Sequence, residues 1–259
     1  MTAPIWLLGC GNMGGALLRR WLADEMGPVA VIDPAPREVP DGVPVSAAPP
    51  GGHPDVLVLA VKPQVWREAA APLAAIAGPL TLVVSVMAGV TTADIASLFP
   101  QSAIVRAMPN TPAGIGMGVT ALFTAAGDLA EGAAEALFSS AGTTVWLDDE
   151  GQFDAVTAVS GSGPGYVFAF IEALAAAGAA AGLEPGLAAR LARATVTGAA
   201  ALAASEATTS AATLRERVTS PQGTTAAGLA VLQPGLAPLL ANTVAAAAAR
   251  SRALAAAKP

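Results

Sequence analysis

A chain of 259 residues is long enough for one large domain or two modest ones with a substantial apolar core. Its formal net charge of −6 argues against a polyanionic partner such as nucleic acid. One cysteine, Cys10, excludes an intramolecular disulfide and a cysteine-based metal cluster; no metal site is expected, and a lone thiol fits a reducing cytoplasm.

The apolar run 5–8 has no basic segment before it and goes straight into a glycine turn, so it reads as a first strand and not as a signal peptide. Strands are predicted over 4–9, 29–33, 55–61, 80–86, 103–108, 118–124 and 143–147, and helices over 13–24, 64–76, 91–98 and 128–140. Such alternation makes right-handed parallel crossovers. The fold class is therefore α/β, an open, doubly wound Rossmann-type sheet.

From Glu150 onward the pattern changes to alanine-rich helices, expected over 153–160, 163–182, 184–205, 211–219, 224–232 and 238–257. The domain boundary falls near residue 150, with a dinucleotide-binding domain over 1–150 and an all-α substrate-binding and dimerisation domain over 151–259. Hydrophobic residues reach 54% while aromatics are only 4%, because alanine supplies much of the apolar count. Such helices make a thin core, so this half is expected to finish burying itself in a second copy of the chain, as a homodimer. The stretch 165–183 carries one charge, Glu172. A carboxylate in mid-span would cost roughly 3 kcal/mol in lipid, so the segment reads as a helix buried within protein, and no membrane partner is expected.

Chemistry concentrates in six places. Gly9-Cys10-Gly11-Asn12-Met13-Gly14 follows the first strand and opens a helix. Glycines there let the backbone approach a pyrophosphate, and the helix start supplies free N–H groups and positive dipole. Asp33 ends the second strand, where a carboxylate binds the 2′-hydroxyl of an adenine ribose and so leans towards NADH; Asp33-Pro34 is equally a turn-forming pair, and Arg37 lies close enough to meet a 2′-phosphate, so NADH and NADPH both stay open. Ala60-Val61-Lys62-Pro63 lies at a strand's carboxyl end, where open α/β sheets hold ligands, although Lys62 also reads as a solvated loop lysine. Arg106 to Pro112 forms another strand-end loop, from which Asn110 or Thr111 is placed to reach nicotinamide or substrate. In the helical half, residues 160–166 and 219–225 each read as a glycine-containing loop opening a helix, and the second offers hydroxyls and N–H groups to a small carboxylate.

What is missing narrows the reaction. An alcohol dehydrogenase needs a base such as histidine, lysine or tyrosine, yet the helical half has no histidine and no lysine before Lys258. A protonated C=N accepts hydride directly, so a hydroxyl and a carboxylate clamp suffice.

Together, Gly9 to Gly15, Ala60-Val61-Lys62-Pro63, Met108-Pro109-Asn110-Thr111-Pro112, Ser160-Gly161-Ser162-Gly163-Pro164 and Val218-Thr219-Ser220-Pro221 with Gly223-Thr224-Thr225 resemble pyrroline-5-carboxylate reductases in order and spacing. The resemblance covers nearly the whole chain. It implies reduction of L-1-pyrroline-5-carboxylate to L-proline, the last step of proline biosynthesis, with NADPH or NADH. It also implies a helical domain interlocked with a second subunit, sometimes in larger rings of dimers. Carried over, Thr225 is the hydroxyl facing the substrate's ring nitrogen, Ser220, Gly223 and Thr224 line the carboxylate pocket, and Val86, Met87 and Ala88 contact cofactor. Two positions depart from the pattern: Gln222 stands where a glycine is usual, and Gly165 where an alanine is. A reductase of another cyclic imine and a non-catalytic NAD(P)-binding protein are the alternatives; the intact residues 220–225 argue against the second.

Overall fold

The computed structural model describes residues 3–256; the expected helix end at Ala257, and Lys258, lie outside them. The first strand, β1 (Ile5–Leu8), is apolar at every position and buried at every position. Its side chains alternate between two cores, one on each face of the sheet. Ile5 and Leu7 join Leu17, Leu18 and Trp21 of α1 (Asn12–Ala23) and Leu137 and Phe138 of α4 (Asp128–Ser139). Trp6 and Leu8 join Trp66 of α2 (Trp66–Ala70) and Ile95 of α3 (Thr92–Ala96) on the other side. Each such side chain, fully buried, contributes about 1.5–3 kcal/mol. Trp21 hides its polar edge by donating Nε1–H to the Leu137 carbonyl at 2.8 Å.

Seven further strands complete the sheet: β2 (Val29–Ile32), β3 (Val45–Ser46), β4 (Val56–Leu59), β5 (Leu82–Ser85), β6 (Ala103–Met108), β7 (Gly118–Thr124) and β8 (Gly142–Trp146). Their order is β3-β2-β1-β4-β5-β6-β7-β8, so the chain reverses direction across the sheet beside β1 and β4, where this fold class holds its ligands. The expectation of parallel crossovers throughout fails at one pair. β7 runs antiparallel to β6, because only a short 3₁₀ turn (Thr111–Ile115) joins them, and a parallel pair needs a crossover of a dozen residues or more. The expected helix 64–76 is likewise shortened to α2 followed by a 3₁₀ turn (Ala71–Leu73), since Pro72 lacks the N–H that would continue it.

Beyond β8 the described residues are helical or looped. α5 (Phe153–Val156) runs through a π-helical turn (Thr157–Gly161) into α6 (Gly163–Ala180), followed by α7 (Pro185–Ser205), α8 (Ala211–Arg217) and α9 (Thr224–Ala256). The two helices expected over 224–232 and 238–257 are one. Pro234 and Pro238 lie inside α9, each deleting a rung at a cost of ~3 kcal/mol without ending the helix.

Two compact units are present: residues 3–162 with 246–256, and Gly163–Ala245. The first thus extends past the boundary expected at residue 150, because Arg106 of β6 holds Glu150 in an ion pair of 2.9 Å and lies over the Phe153 ring at 4.0 Å. Within Gly163–Ala245, Ala188 and Ala192 are the only buried side chains, while Phe168 is 64% and Val231 83% exposed. The helical runs Glu150–Ala180 and Thr224–Ala256 are long and apolar enough, by length and composition, to cross a membrane. Within its own unit the segment 165–183, expected to be buried within protein, has no buried side chain.

Candidate active site

The phosphate loop is shaped by what its glycines lack. Gly9 adopts φ +93°, and a Cβ there would lie 2.8 Å from the Ala60 carbonyl oxygen. At Gly14 a Cβ would stand 2.3 Å from the Gly9 carbonyl oxygen, so only glycine lets α1 start this close to β1. Gly11 differs: a Cβ there would meet nothing within 4 Å, and its backbone faces open space. This is the cradle that an approaching pyrophosphate requires, closed beneath and open above.

Three cavities open at this loop, and two of them also take in the strand end at residues 60–62. One, of about 370 Å³, is lined by Gly11, Asn12 and Met13, by Ala60, Val61, Lys62 and Pro63, by Val86, Met87 and Ala88, and by Arg37. The other, of about 610 Å³, holds Gly9, Gly11, Asp33, Pro34, Ala60, Val61 and Lys62 with Ala47, Pro49, Val65, Glu68 and Pro72. Three distant stretches of sequence thus converge, as a dinucleotide needs. The walls at Ala47, Pro49, Val65 and Glu68 escaped sequence reasoning. Their one signal was proximity to the strand carboxyl ends, since the proline-rich stretch after Asp33 carries no periodicity.

Three expected cofactor residues are not at the cavity lining. Cys10 is buried with its side chain in the core on the α1 side, and its backbone groups are engaged with the segment after β2. Gly14 lies against Gly9. Asn110 is buried, its Oδ1 accepting from the Val119 N–H at 2.9 Å and its Nδ2 donating to the Ser160 carbonyl at 3.2 Å. That carbonyl needs a donor because its helical partner would be Pro164, which has no N–H. In the π-helical turn just before it the Ser162 N–H reaches the Thr157 carbonyl at 2.8 Å. Residues 160–166, expected as a loop, are helical on either side of Ser162, and Asn110 clasps this segment to the start of β7.

In the second unit, residues 220–223 form a tight turn in which the Gly223 N–H donates to the Ser220 carbonyl at 3.0 Å. Pro221 takes the position where proline is favoured, and Gln222 takes the next with φ +60°, the left-handed conformation a type II turn demands. Glycine suits that position best, which gives the expected departure at Gln222 a physical meaning. At Gly223 a Cβ would lie 2.3 Å from Ser220 Oγ and 3.1 Å from the Ser220 carbonyl oxygen, so a larger residue would require the Ser220 hydroxyl to turn away. The Gly223 carbonyl accepts the first rung of α9 from the Ala227 N–H at 3.1 Å, leaving the preceding N–H groups without helical partners. Thr224 and Thr225, both exposed, stand at this positive helix end beside Ser220.

Comparison with known proteins covers both units. Residues 4–89 match the family model described as NADP oxidoreductase coenzyme F420-dependent, and residues 150–254 match that of pyrroline-5-carboxylate reductase dimerisation. The chain is 40% identical over 254 residues to a pyrroline-5-carboxylate reductase of Synechocystis, covering 90% of this chain and 91% of that one. Among solved structures, a pyrroline-5-carboxylate reductase from Coxiella burnetii superposes with a TM-score of 0.89 at 34% identity, over 98% of this chain and 99% of the other. The Plasmodium falciparum enzyme, solved with NADP bound, gives 0.84 at 25% identity over 98% of both chains.

Proposed function

Because the chain belongs to the pyrroline-5-carboxylate reductase family, we propose that it reduces L-1-pyrroline-5-carboxylate to L-proline, the last step of proline biosynthesis. The observation that carries this reading is that one chain holds both a dinucleotide cradle at Gly11 and a hydroxyl-bearing helix start at residues 220–225, with no histidine base in its helical half. When bound, the nicotinamide cofactor supplies the hydride that reduces the C=N carbon. Ser220, Gly223 and Thr224 receive the substrate carboxylate at the positive end of α9. The Thr225 hydroxyl holds the ring nitrogen, which arrives protonated and leaves as the amine, so no strong base is required.

Asn12, Met13, Ala60 to Pro63 and Val86 to Ala88 are the residues that hold the cofactor in this reading. NADH is the favoured form, because the Asp33 carboxylate in the larger cavity accepts from a ribose 2′-hydroxyl and repels a 2′-phosphate. The work divides near residue 150, cofactor before it and substrate and dimer contacts after it. The family's dimerisation segment and the uncovered apolar helices of Gly163–Ala245 support a homodimer, and light scattering separates it from a ring of dimers. The single buried thiol suits a reducing cytoplasm and no membrane partner is proposed.

Oxidation of NADH and NADPH, each with pyrroline-5-carboxylate, tests the reading; turnover with neither overturns it. Thr225→Ala should lower kcat by at least tenfold while cofactor Kd stays within twofold. Unchanged turnover removes Thr225 from the mechanism, and faster turnover of another cyclic imine reassigns the substrate.

A further inference from the structure

The chain after β2 does not leave the phosphate loop; it folds back and is fastened to it. Asp33 Oδ2 accepts the Cys10 N–H at 2.7 Å, and its Oδ1 accepts the Ala35 N–H at 2.8 Å. Further on, the Arg37 N–H donates to the Cys10 carbonyl at 3.3 Å, and Arg37 Nη1 donates to Asn12 Oδ1 at 2.7 Å. Residues 33–37 therefore arch over the glycine loop with their ends tied to it.

The arch separates its two charges. Asp33 lines the 610 Å³ cavity and Arg37 does not; Arg37 lines the 370 Å³ one and a third, of about 480 Å³, in each case beside Gly11, Asn12 and Met13, and in the third with Arg19 and Glu38 as well. Among the described residues Arg37 makes no ion pair. Its planar guanidinium carries five donors, of which Asn12 engages one, and the remainder suit phosphate oxygens. The loop itself supplies N–H groups and no cation. A diphosphate laid against Gly11 would meet its countercharge in Arg37.

We propose that Arg37 is a ligand of the cofactor's pyrophosphate, an anchor shared by NADH and NADPH and not a receptor for the 2′-phosphate. The proposal rests on the nicotinamide-cofactor reading above. It explains how one side chain near the end of β2 serves affinity while Asp33 on the same arch serves selection between the two forms.

The test is equilibrium binding to the purified full chain, wild type and Arg37→Gln, of NADH, NADPH, ADP-ribose and adenosine. Loss of a charge-assisted fork should raise Kd about tenfold for the first three alike, leaving adenosine unchanged. Arg37→Lys, which keeps the charge without the fork, should fall between. A loss confined to NADPH would make Arg37 a 2′-phosphate receptor and overturn the proposal. Equal weakening of adenosine would mean that Arg37 only holds the arch in shape, and an unchanged set of Kd values would remove it from the site; both overturn the proposal too. Wild-type protein that bound none of the nicotinamide nucleotides would sink the reductase reading and this proposal with it, whereas the other outcomes leave that reading standing.

Discussion

Glu150→Ala is the substitution expected to do most damage at a distance from any ligand. Glu150 Oε1 accepts from Arg106 Nη1 at 2.9 Å and from the Thr92 N–H at 2.8 Å, and Oε2 accepts from Thr92 Oγ1 at 2.8 Å. It thereby neutralises Arg106, whose side chain is 10% exposed, and serves a free N–H at the start of α3. Truncation strands the guanidinium against the Phe153 ring with no anion, and removing one partner of a largely buried pair costs about 3–5 kcal/mol. For a unit of this size that lowers Tm by roughly 10 °C. Thermal denaturation followed by far-UV circular dichroism measures it. The companion Arg106→Leu/Glu150→Leu removes both charges and should recover most of the loss, as apolar replacements of buried pairs commonly do. A drop below 2 °C for Glu150→Ala, or a double variant as unstable as the single one, refutes the reasoning.

Gln222→Gly relieves a side chain from the left-handed region and should raise stability by roughly 0.5–1 kcal/mol, net of glycine's greater freedom when unfolded; a fall in Tm would show that the amide earns its place through contacts. Because the helices of Gly163–Ala245 lack a core of their own, Tm should climb with protein concentration, and a value constant over a hundredfold dilution range argues against the homodimer. Glu184 caps α7, accepting from the Gly186 and Leu187 N–H groups at 2.8 and 2.7 Å, which hold its pKa below the ordinary carboxylate value. Its contribution is complete above that ordinary value and fades as pH falls through the lower folded one. The Tm advantage of wild type over Glu184→Gln should therefore vanish on acidification, and a gap independent of pH contradicts the cap.

Legibility followed the physics of each segment. β1, β4 and β5 were readable because continuous apolar runs end at glycine, at Lys62 and at the small residues after Ser85, and the strand ends in turn located the cofactor residues. β3 was not, since a two-residue edge strand among prolines offers no alternation to detect. The antiparallel β7 was hidden in the brevity of its connection, and the unity of α9 behind two prolines that ordinarily end helices. At the site, residue type and spacing found the glycine loop and residues 220–225 but not which way a side chain turns. Asn110 looked like a ligand and faces inward to Ser160 and Val119, while Arg37 looked like a ribose-side group and lies at the phosphate loop.

Cys10 gives the same loop a clock. It is the chain's only thiol, 1% exposed, and burial, reinforced by the Asp33 carboxylate, pushes its pKa up. Its backbone groups are held by the arch and its sulfur is packed in the core on the α1 side, so a reagent that needs the thiolate meets sulfur only in molecules that have opened locally there. The half-time of alkylation then follows local opening around Cys10 without any introduced label, and each nucleotide's ability to lengthen it reports how far binding beside Gly11 restrains that opening.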